Sequence, residues 1–140
     1  MSLRLPLVAA VLALSACAAD YDPPATPVAL PPEPGKPVLQ RETVTVSAFL
    51  AGASSSLAEL NTARCVIARR GQTVTVTTPM MLSIPVHAGA QAPLDIDCNA
   101  QIGPRLARAT LRHLPETAIA DPADTASRHY PEQITIRFRQ

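Results

Sequence analysis

The chain has 140 residues, with 12 Lys and Arg against 11 Asp and Glu, a formal net charge of +1. Such balance argues against electrostatic binding of nucleic acid, which needs a clustered positive surface. With no Trp, two Phe and two Tyr, there is also no aromatic platform on which bases could stack. We therefore expect no nucleic-acid partner, and the length suits one domain plus a tail.

The N-terminus has the pattern of an export signal. Arg4 supplies a positive charge, and an apolar run from Leu5 to Leu14 ends in small residues. A charged start, an apolar stretch of roughly 7–15 residues and a small-residue cleavage site together form a secretory signal peptide. The run is too short for a transmembrane helix, which needs about 20 apolar residues.

The end of this signal, Leu14-Ser15-Ala16-Cys17, resembles the lipobox of bacterial lipoproteins. The resemblance implies a signal peptide over residues 1–16, cleavage between Ala16 and Cys17, and a diacylglycerol and an N-acyl chain on Cys17. Two or three acyl chains hold a protein stably on a membrane. Ala18 stands where lipoproteins retained at the inner membrane often have Asp, which favours an outer-membrane location facing the periplasm. The alternative is a plain secretory signal with an incidental cysteine.

Residues 17–40 form the predicted tether. Seven prolines fall within it, and each lacks an amide donor and fixes φ, which disfavours helix and central strand; they are Pro23, Pro24, Pro27, Pro31, Pro32, Pro34 and Pro37. The composition predicts a disordered spacer with polyproline II character, which at about 3.1 Å per residue reaches up to roughly 70 Å. The alternative is a proline-rich ligand for an envelope partner.

Beyond the tether, residues 41–140 alternate apolar and polar side chains as half-buried strands do. The alternation predicts an all-β domain, a small antiparallel β-sandwich, with strands at Glu42–Phe49, Thr62–Arg69, Thr73–Thr78, Met80–Val86, Pro93–Cys98 and Gln133–Arg139. Leu57–Leu60 is predicted as one short helical turn, and Pro85 marks its strand as a sheet edge. Arg105–Leu114 fits a basic amphipathic helix or a strand followed by a long loop, and we favour the strand.

The two cysteines left after lipidation, Cys65 and Cys98, are expected to pair, because an exported protein sits in an oxidising compartment. Both fall in the inward register of their predicted strands. A bridge closing this loop contributes about 4 kcal/mol in the chain-entropy model. Free buried thiols are the alternative, whereas a redox pair would need Cys-x-x-Cys spacing.

The three cysteine-and-strand segments Ala63–Cys65, Thr73–Pro79 and Leu94–Cys98 resemble small bacterial lipoproteins with a PEGA-like β-sandwich. The C-terminal ending is similar as well, at Asp124-Thr125, Tyr130-Pro131 and Ile134–Ile136. The resemblance implies an envelope lipoprotein without assigned chemistry, and it supplies no catalytic residues.

The residues that carry chemistry elsewhere do not form a catalytic or metal-binding pattern here. His87, His113 and His129 are widely separated, and Ser54–Ser56 lack the nucleophile-elbow pattern. Asp95 and Asp97 alternate on the water-facing side of a strand. We therefore expect no active site, no metal and no cofactor other than the lipid on Cys17.

Three functions remain open from the sequence. The first is a non-enzymatic envelope lipoprotein whose β domain binds another envelope component. The second is a subunit or assembly factor of a larger envelope complex that uses its sheet edges for strand addition. The third, an enzyme acting on cell-wall material, would have to rely on Ser54 or His129.

Overall fold

The computed structural model describes residues 26–52, 57–116 and 128–139, which fold as an all-β sandwich of two sheets. Nine strands follow one another along this part of the chain. They are β1 (Val28–Ala29), β2 (Gln40–Ala51), β3 (Leu57–Glu59), β4 (Arg64–Arg69), β5 (Gln72–Thr77), β6 (Met80–Val86), β7 (Leu94–Ile102), β8 (Arg105–His113) and β9 (Gln133–Arg139). The described residues include no helix long and apolar enough to span a membrane.

The long strand β2 organises the first sheet. Its first half pairs with β6 and its last three residues pair with β3, while β9 runs along its opposite edge; β1 extends the sheet beyond β6. The second sheet has the order β5-β4-β7-β8 and is antiparallel throughout. The predicted sandwich is confirmed, and it is antiparallel except for two pairs.

Those two exceptions are β1 with β6 and β2 with β9, which are parallel. The chain leaves the second sheet at the end of β8 and returns to the first sheet only at Gln133, beside Thr45 in β2. It therefore enters the sheet running in the same direction as β2. Alternation in the sequence does not report strand direction, so the sequence could not reveal this pairing.

The core lies between the two sheets and is built from the inward positions that the alternation predicted. The fully or almost fully buried residues include Val44, Val46, Ala48, Ala63, Cys65, Ile67, Leu82, Ile84, Leu94, Ile96, Cys98, Ile134, Ile136 and Phe138. Cys65 and Cys98 face each other directly across β4 and β7 and form the predicted disulfide. The bridge therefore joins neighbouring strands of one sheet rather than the two sheets.

Three local predictions can be compared with the fold. The helical turn predicted at Leu57–Leu60 is wrong, because Leu57–Glu59 is strand β3 and pairs with the end of β2. Arg105–His113 is strand β8, as favoured, and the helix alternative is wrong. β6 is not a simple sheet edge, since Leu82 and Ser83 pair with β1, and Pro85 lies just beyond that short pairing.

The predicted tether boundary also needs correction, because the second half of the proline-rich stretch packs on the domain. Leu30 is fully buried, and its amide donates to the Ser83 carbonyl at 2.9 Å. Further along, the Leu39 amide donates to the Val86 carbonyl at 2.9 Å. A disordered spacer reaching residue 40 is therefore wrong for this part. The fixed φ of proline suits an extended edge segment, and Leu30 provides an apolar side chain to bury. Residues 17–25 lie outside the described part.

Candidate functional site

A partly buried polar cluster forms where the N-terminal segment crosses the end of β4. We call it the Glu33 cluster, and it comprises Glu33, Arg69, Arg70, Gln91 and Tyr130. Arg69 is 2 % exposed, and its guanidinium donates to the Tyr130 hydroxyl at 3.0 Å and to the Gln91 side-chain carbonyl at 2.9 Å. A third guanidinium nitrogen lies 3.7 Å from a carboxylate oxygen of Glu33. The buried arginine is thus paired and hydrogen-bonded on several sides, as a buried charge requires.

Glu33 is the acidic centre of this cluster. Lys36 Nζ lies 2.6 Å and Arg70 Nη1 3.1 Å from its second carboxylate oxygen. The hydrogen bond from Lys36 is the largest influence on the pKa of Glu33, and together with Arg70 it outweighs burial and holds this pKa below its ordinary value. Glu33 therefore stays ionised at neutral pH and holds three cations around it.

Tyr130 links the Glu33 cluster to the hydrophobic core, in which its side chain is buried. Its hydroxyl donates to the Ala92 carbonyl at 2.6 Å while it accepts from Arg69, and the Arg69 guanidinium carbon lies 6.0 Å from the ring centre. Burial raises the pKa of Tyr130, and the Arg69 hydrogen bond opposes that shift only in part. The phenol therefore remains a neutral donor, which is the form that the Ala92 contact needs.

His87 fixes the segment at a second point. Its Nε2 accepts a hydrogen bond from the Glu33 amide at 3.3 Å, and its Nδ1 lies 2.9 Å from the Pro37 carbonyl. The neutral tautomer with the proton on Nδ1 satisfies both contacts at once. His87 thus binds two backbone groups of the N-terminal segment, which gives it a structural role.

A second buried carboxylate, Glu42, lies in the inward register at the start of β2. It accepts hydrogen bonds from the backbone amides of His129 at 3.0 and 3.1 Å and of Tyr130 at 2.9 Å, and His129 Nδ1 lies 3.0 Å away. Burial alone would raise the pKa of Glu42, but these hydrogen bonds outweigh it and lower the pKa. Glu42 thereby fastens the segment preceding β9 to β2.

The chemistry of these two clusters is that of structural polar networks. Both carboxylates are taken up by cations or amide donors, and the tyrosine and His87 already have partners. Among the described residues no group of His, Cys, Asp and Glu is arranged to hold a metal ion. The geometry of both clusters therefore positions backbone segments.

The other candidates from the sequence are not brought together. Asp95 and Asp97 lie on the outer face of the second sheet, where Arg112 lies 3.5 Å from Asp95 and Arg108 forms a two-point ion pair with Asp97. The pKa of Asp97 is lowered by this hydrogen bond from Arg108. His113 is half-buried at the end of β8, in a different place from the other two histidines. Ala16, Cys17 and Ser54–Ser56 lie outside the described residues.

The sequence did hold a signal for both buried clusters. Arg69 continues the inward register of Ala63, Cys65 and Ile67, and Glu42 precedes Val44 in the same way. A charged residue at an inward position of a strand indicates a buried partner. We did not predict these clusters, because Glu33 and Tyr130 lie outside the long strands and have no periodic pattern.

Comparison with known proteins does not assign this architecture: no family model matches the chain, and neither the curated proteins nor the solved structures include a significant match.

Proposed function

We propose that the chain is a bacterial envelope lipoprotein, in which acyl chains on Cys17 hold a non-catalytic β-sandwich at the periplasmic face of the outer membrane. The observation that carries the proposal is the sequence Leu14-Ser15-Ala16-Cys17 at the end of an apolar run. Under this proposal the domain acts by binding another envelope component. No enzymatic step is required of it.

The distribution of the cysteines supports this proposal. The chain has three cysteines, and the disulfide takes up Cys65 and Cys98. Cys17 is then the one thiol left, and it stands at the lipobox position. A disulfide is also typical of proteins exported to an oxidising compartment. The N-terminal signal sequence and the disulfide are therefore both consistent with export.

The test is the intact mass of the protein extracted from its native membrane, measured with and without reductant. We expect residues 17–140 plus two or three acyl chains, with a gain of two hydrogens on reduction. Cys17→Ser should abolish both the acyl mass and membrane retention, whereas the control Ser15→Ala keeps a small residue and should be processed normally. An unlipidated wild-type chain would overturn the proposal.

The second candidate is a subunit of a larger envelope complex, and the edge of β8 favours it. Over the described residues, β8 pairs with β7 on one side only, and the part of its other edge that lies away from β9 is open to strand addition. A photo-crosslinking residue at Thr110 on β8 should then capture one stoichiometric neighbour in intact cells. The control is the same residue at Thr75 on β5, the opposite edge of the sheet. Absence of a product at Thr110 would exclude use of the β8 edge.

A further inference from the structure

The packed N-terminal segment limits how far the domain can lie from the anchor. If Cys17 carries the lipid, as proposed above, only the chain from residue 17 to residue 26 separates the anchor from the described fold. Fully extended, that stretch spans at most about 30 Å. An undocked tether to residue 40 would span roughly 70 Å. Residue 26 therefore lies within about 30 Å of the bilayer, so the domain stays near the membrane surface.

The direction of β1 indicates which end of the sandwich this is. β1 runs parallel to β6, with Val28 beside Leu82, so the chain before Val28 heads toward the start of β6. That end also holds the start of β4, because the Thr78 amide donates to the Ala63 carbonyl at 2.9 Å. The last residues of β2 and β9 and the β7–β8 turn lie at the same end, since Arg139 and Ile102 line one hollow there.

This end, which we call the arginine end, exposes Arg64, Arg105, Leu106, Arg137 and Arg139. None of its four arginines forms an ion pair with another residue of the described ranges. Glu59 on β3 is the single acidic residue that the described strands place at this end.

Six arginines lie elsewhere on the described sandwich: four of them face an acidic residue, whereas Arg41 and Arg128 donate to backbone carbonyls. Arg69 and Arg70 face Glu33, Arg108 pairs with Asp97, and Arg112 lies beside Asp95. The described residues carry 11 Lys and Arg against 7 Asp and Glu, a net charge of +4. The arginine end, with four arginines and Glu59, holds +3 of it, on the side from which the anchor chain comes.

An apolar element accompanies this charge. Leu106 is 71 % exposed, the largest exposed fraction of any large apolar residue described. It lines an open hollow of about 400 Å³ together with Ile102, Arg105, Ala107 and Arg139. Arginine beside an exposed leucine suits the interfacial layer of a bilayer, where the guanidinium meets phosphate and the aliphatic part meets the acyl boundary.

We propose that the arginine end of the domain lies against anionic phospholipid headgroups of the membrane that holds the anchor. Charge complementarity and the short chain to Cys17 both favour this occupant over a protein partner. Each arginine near an anionic surface strengthens binding roughly five-fold. Since the anchor already holds the domain near the bilayer, even a modest preference sets its orientation.

The chain itself permits a sharp test, because it has no tryptophan and its single free thiol is Cys17. The chain beginning at residue 17 is coupled through Cys17 to maleimide-headgroup lipid in vesicles, so that attachment does not depend on lipidation in cells. Leu106→Trp reports on the arginine end. The matched control is Ala90→Trp in the exposed Gly89 loop at the opposite end.

On phosphatidylcholine vesicles containing phosphatidylglycerol, we expect emission of the L106W protein to shift to the blue and to be quenched by brominated lipid, while the A90W protein is unaffected. Arg105→Gln with Arg139→Gln should lower the ratio of docked to undocked domains about 25-fold. As matched single variants, Arg105→Gln should lower the ratio about five-fold, and Arg112→Gln at the opposite end should leave it unchanged. In 1 M salt, where the Debye length is about 3 Å, the quenching should disappear.

The outcomes separate the two proposals. Equal quenching of both tryptophans, quenching that persists on pure phosphatidylcholine, or no quenching of L106W would overturn the orientation and leave lipidation of Cys17 standing. An unlipidated native chain would overturn the anchor, while quenching in the chemically coupled protein would still show the affinity of the arginine end for anionic lipid.

Discussion

Replacing Glu42 by glutamine tests whether the buried carboxylate fastens the segment before β9 to β2. Two backbone amides and the His129 ring meet its oxygens at 2.9 to 3.1 Å, and its side chain is 4 % exposed. Glutamine keeps the shape, but it removes the charge and turns an NH₂ group toward these donors. Hydrogen bonds to a charged group contribute about 1.5–3 kcal/mol, and a buried donor left unpaired costs about 1–3 kcal/mol. We expect Glu42→Gln to lower the free energy of unfolding at pH 7 by about 3 kcal/mol.

The pH dependence of that difference has a definite sign. The pKa of Glu42 in the folded protein lies below the ordinary value of 4.5. Its contribution is therefore complete above pH 4.5 and is lost as the pH falls through the folded pKa. The wild-type protein should lose its advantage over the glutamine variant in that acidic range. Glu33 and Asp97 also have lowered pKa values, so the total stability falls too, and the difference between the two proteins isolates Glu42.

The assay is denaturant unfolding of residues 17–140 carrying Cys17→Ser, at pH 7 and at pH 3. Glu59→Gln is the matched control, because Glu59 is exposed on β3 and its replacement should change stability by less than about 0.5 kcal/mol. Equal stability of the Glu42 and Glu59 variants at pH 7 would refute the hydrogen-bond argument. A difference that stays constant at pH 3 would show that packing, rather than charge, explains the loss.

Three further changes test the fold and the proposed membrane location. Leu30→Ala should lower the free energy of unfolding, measured with denaturant, by about 2–5 kcal/mol, because the side chain is fully buried. Val28→Ala, at an exposed position, should lower it far less. Equal effects of the two changes would contradict docking of the N-terminal segment. Removing the disulfide through Cys65→Ala with Cys98→Ala should cost about 4 kcal/mol, and reduction of the wild-type protein should reproduce the loss if loop closure is the cause. Ala18→Asp should move the lipoprotein to the inner membrane on density-gradient fractionation, and an unchanged distribution would contradict the sorting rule on which the location rests.

The alternation of apolar and polar residues predicted most of the sandwich. It placed Val44, Ile67, Leu82, Ile96 and Ile136 in the core, and all are buried. A half-buried strand leaves this pattern whatever its neighbours are. For the same reason the pattern does not tell which strand is the neighbour or in which direction it runs. The parallel pairing of β2 with β9 therefore had no signal in the sequence.

The N-terminal segment shows where composition misled the prediction. Its prolines indicate a spacer, and two residues of strand are too few for alternation to be seen. Its packing depends on partners far along the chain. Glu33 is hydrogen-bonded to His87 and lies beside Arg69, and the Leu30 amide donates to the Ser83 carbonyl. Such contacts are set by tertiary structure, which overrides local preference. The sequence indicated the basic residues of β8 that belong to the proposed membrane-facing surface. It did not indicate that they lie beside the end of β9.

The polar clusters and the proposed anchor at Cys17 are connected through this same segment. Residues 28–39 start beside β6, bury Leu30, and reach Glu33 at the end of β4, where Arg69 joins them to Tyr130. Glu42 in β2 accepts a hydrogen bond from the backbone amide of Tyr130, which links this network to β2. The segment is held by the β1 pairing, by the burial of Leu30 and by the contacts of Glu33. Detaching the whole segment would remove both the apolar burial of Leu30 and the ion pairs of Glu33, and the loss of either is costly. If Cys17 is lipidated as proposed, the contacts of Glu33 hold the anchored end of the described fold to both sheets, through Arg69 in β4 and His87 after β6.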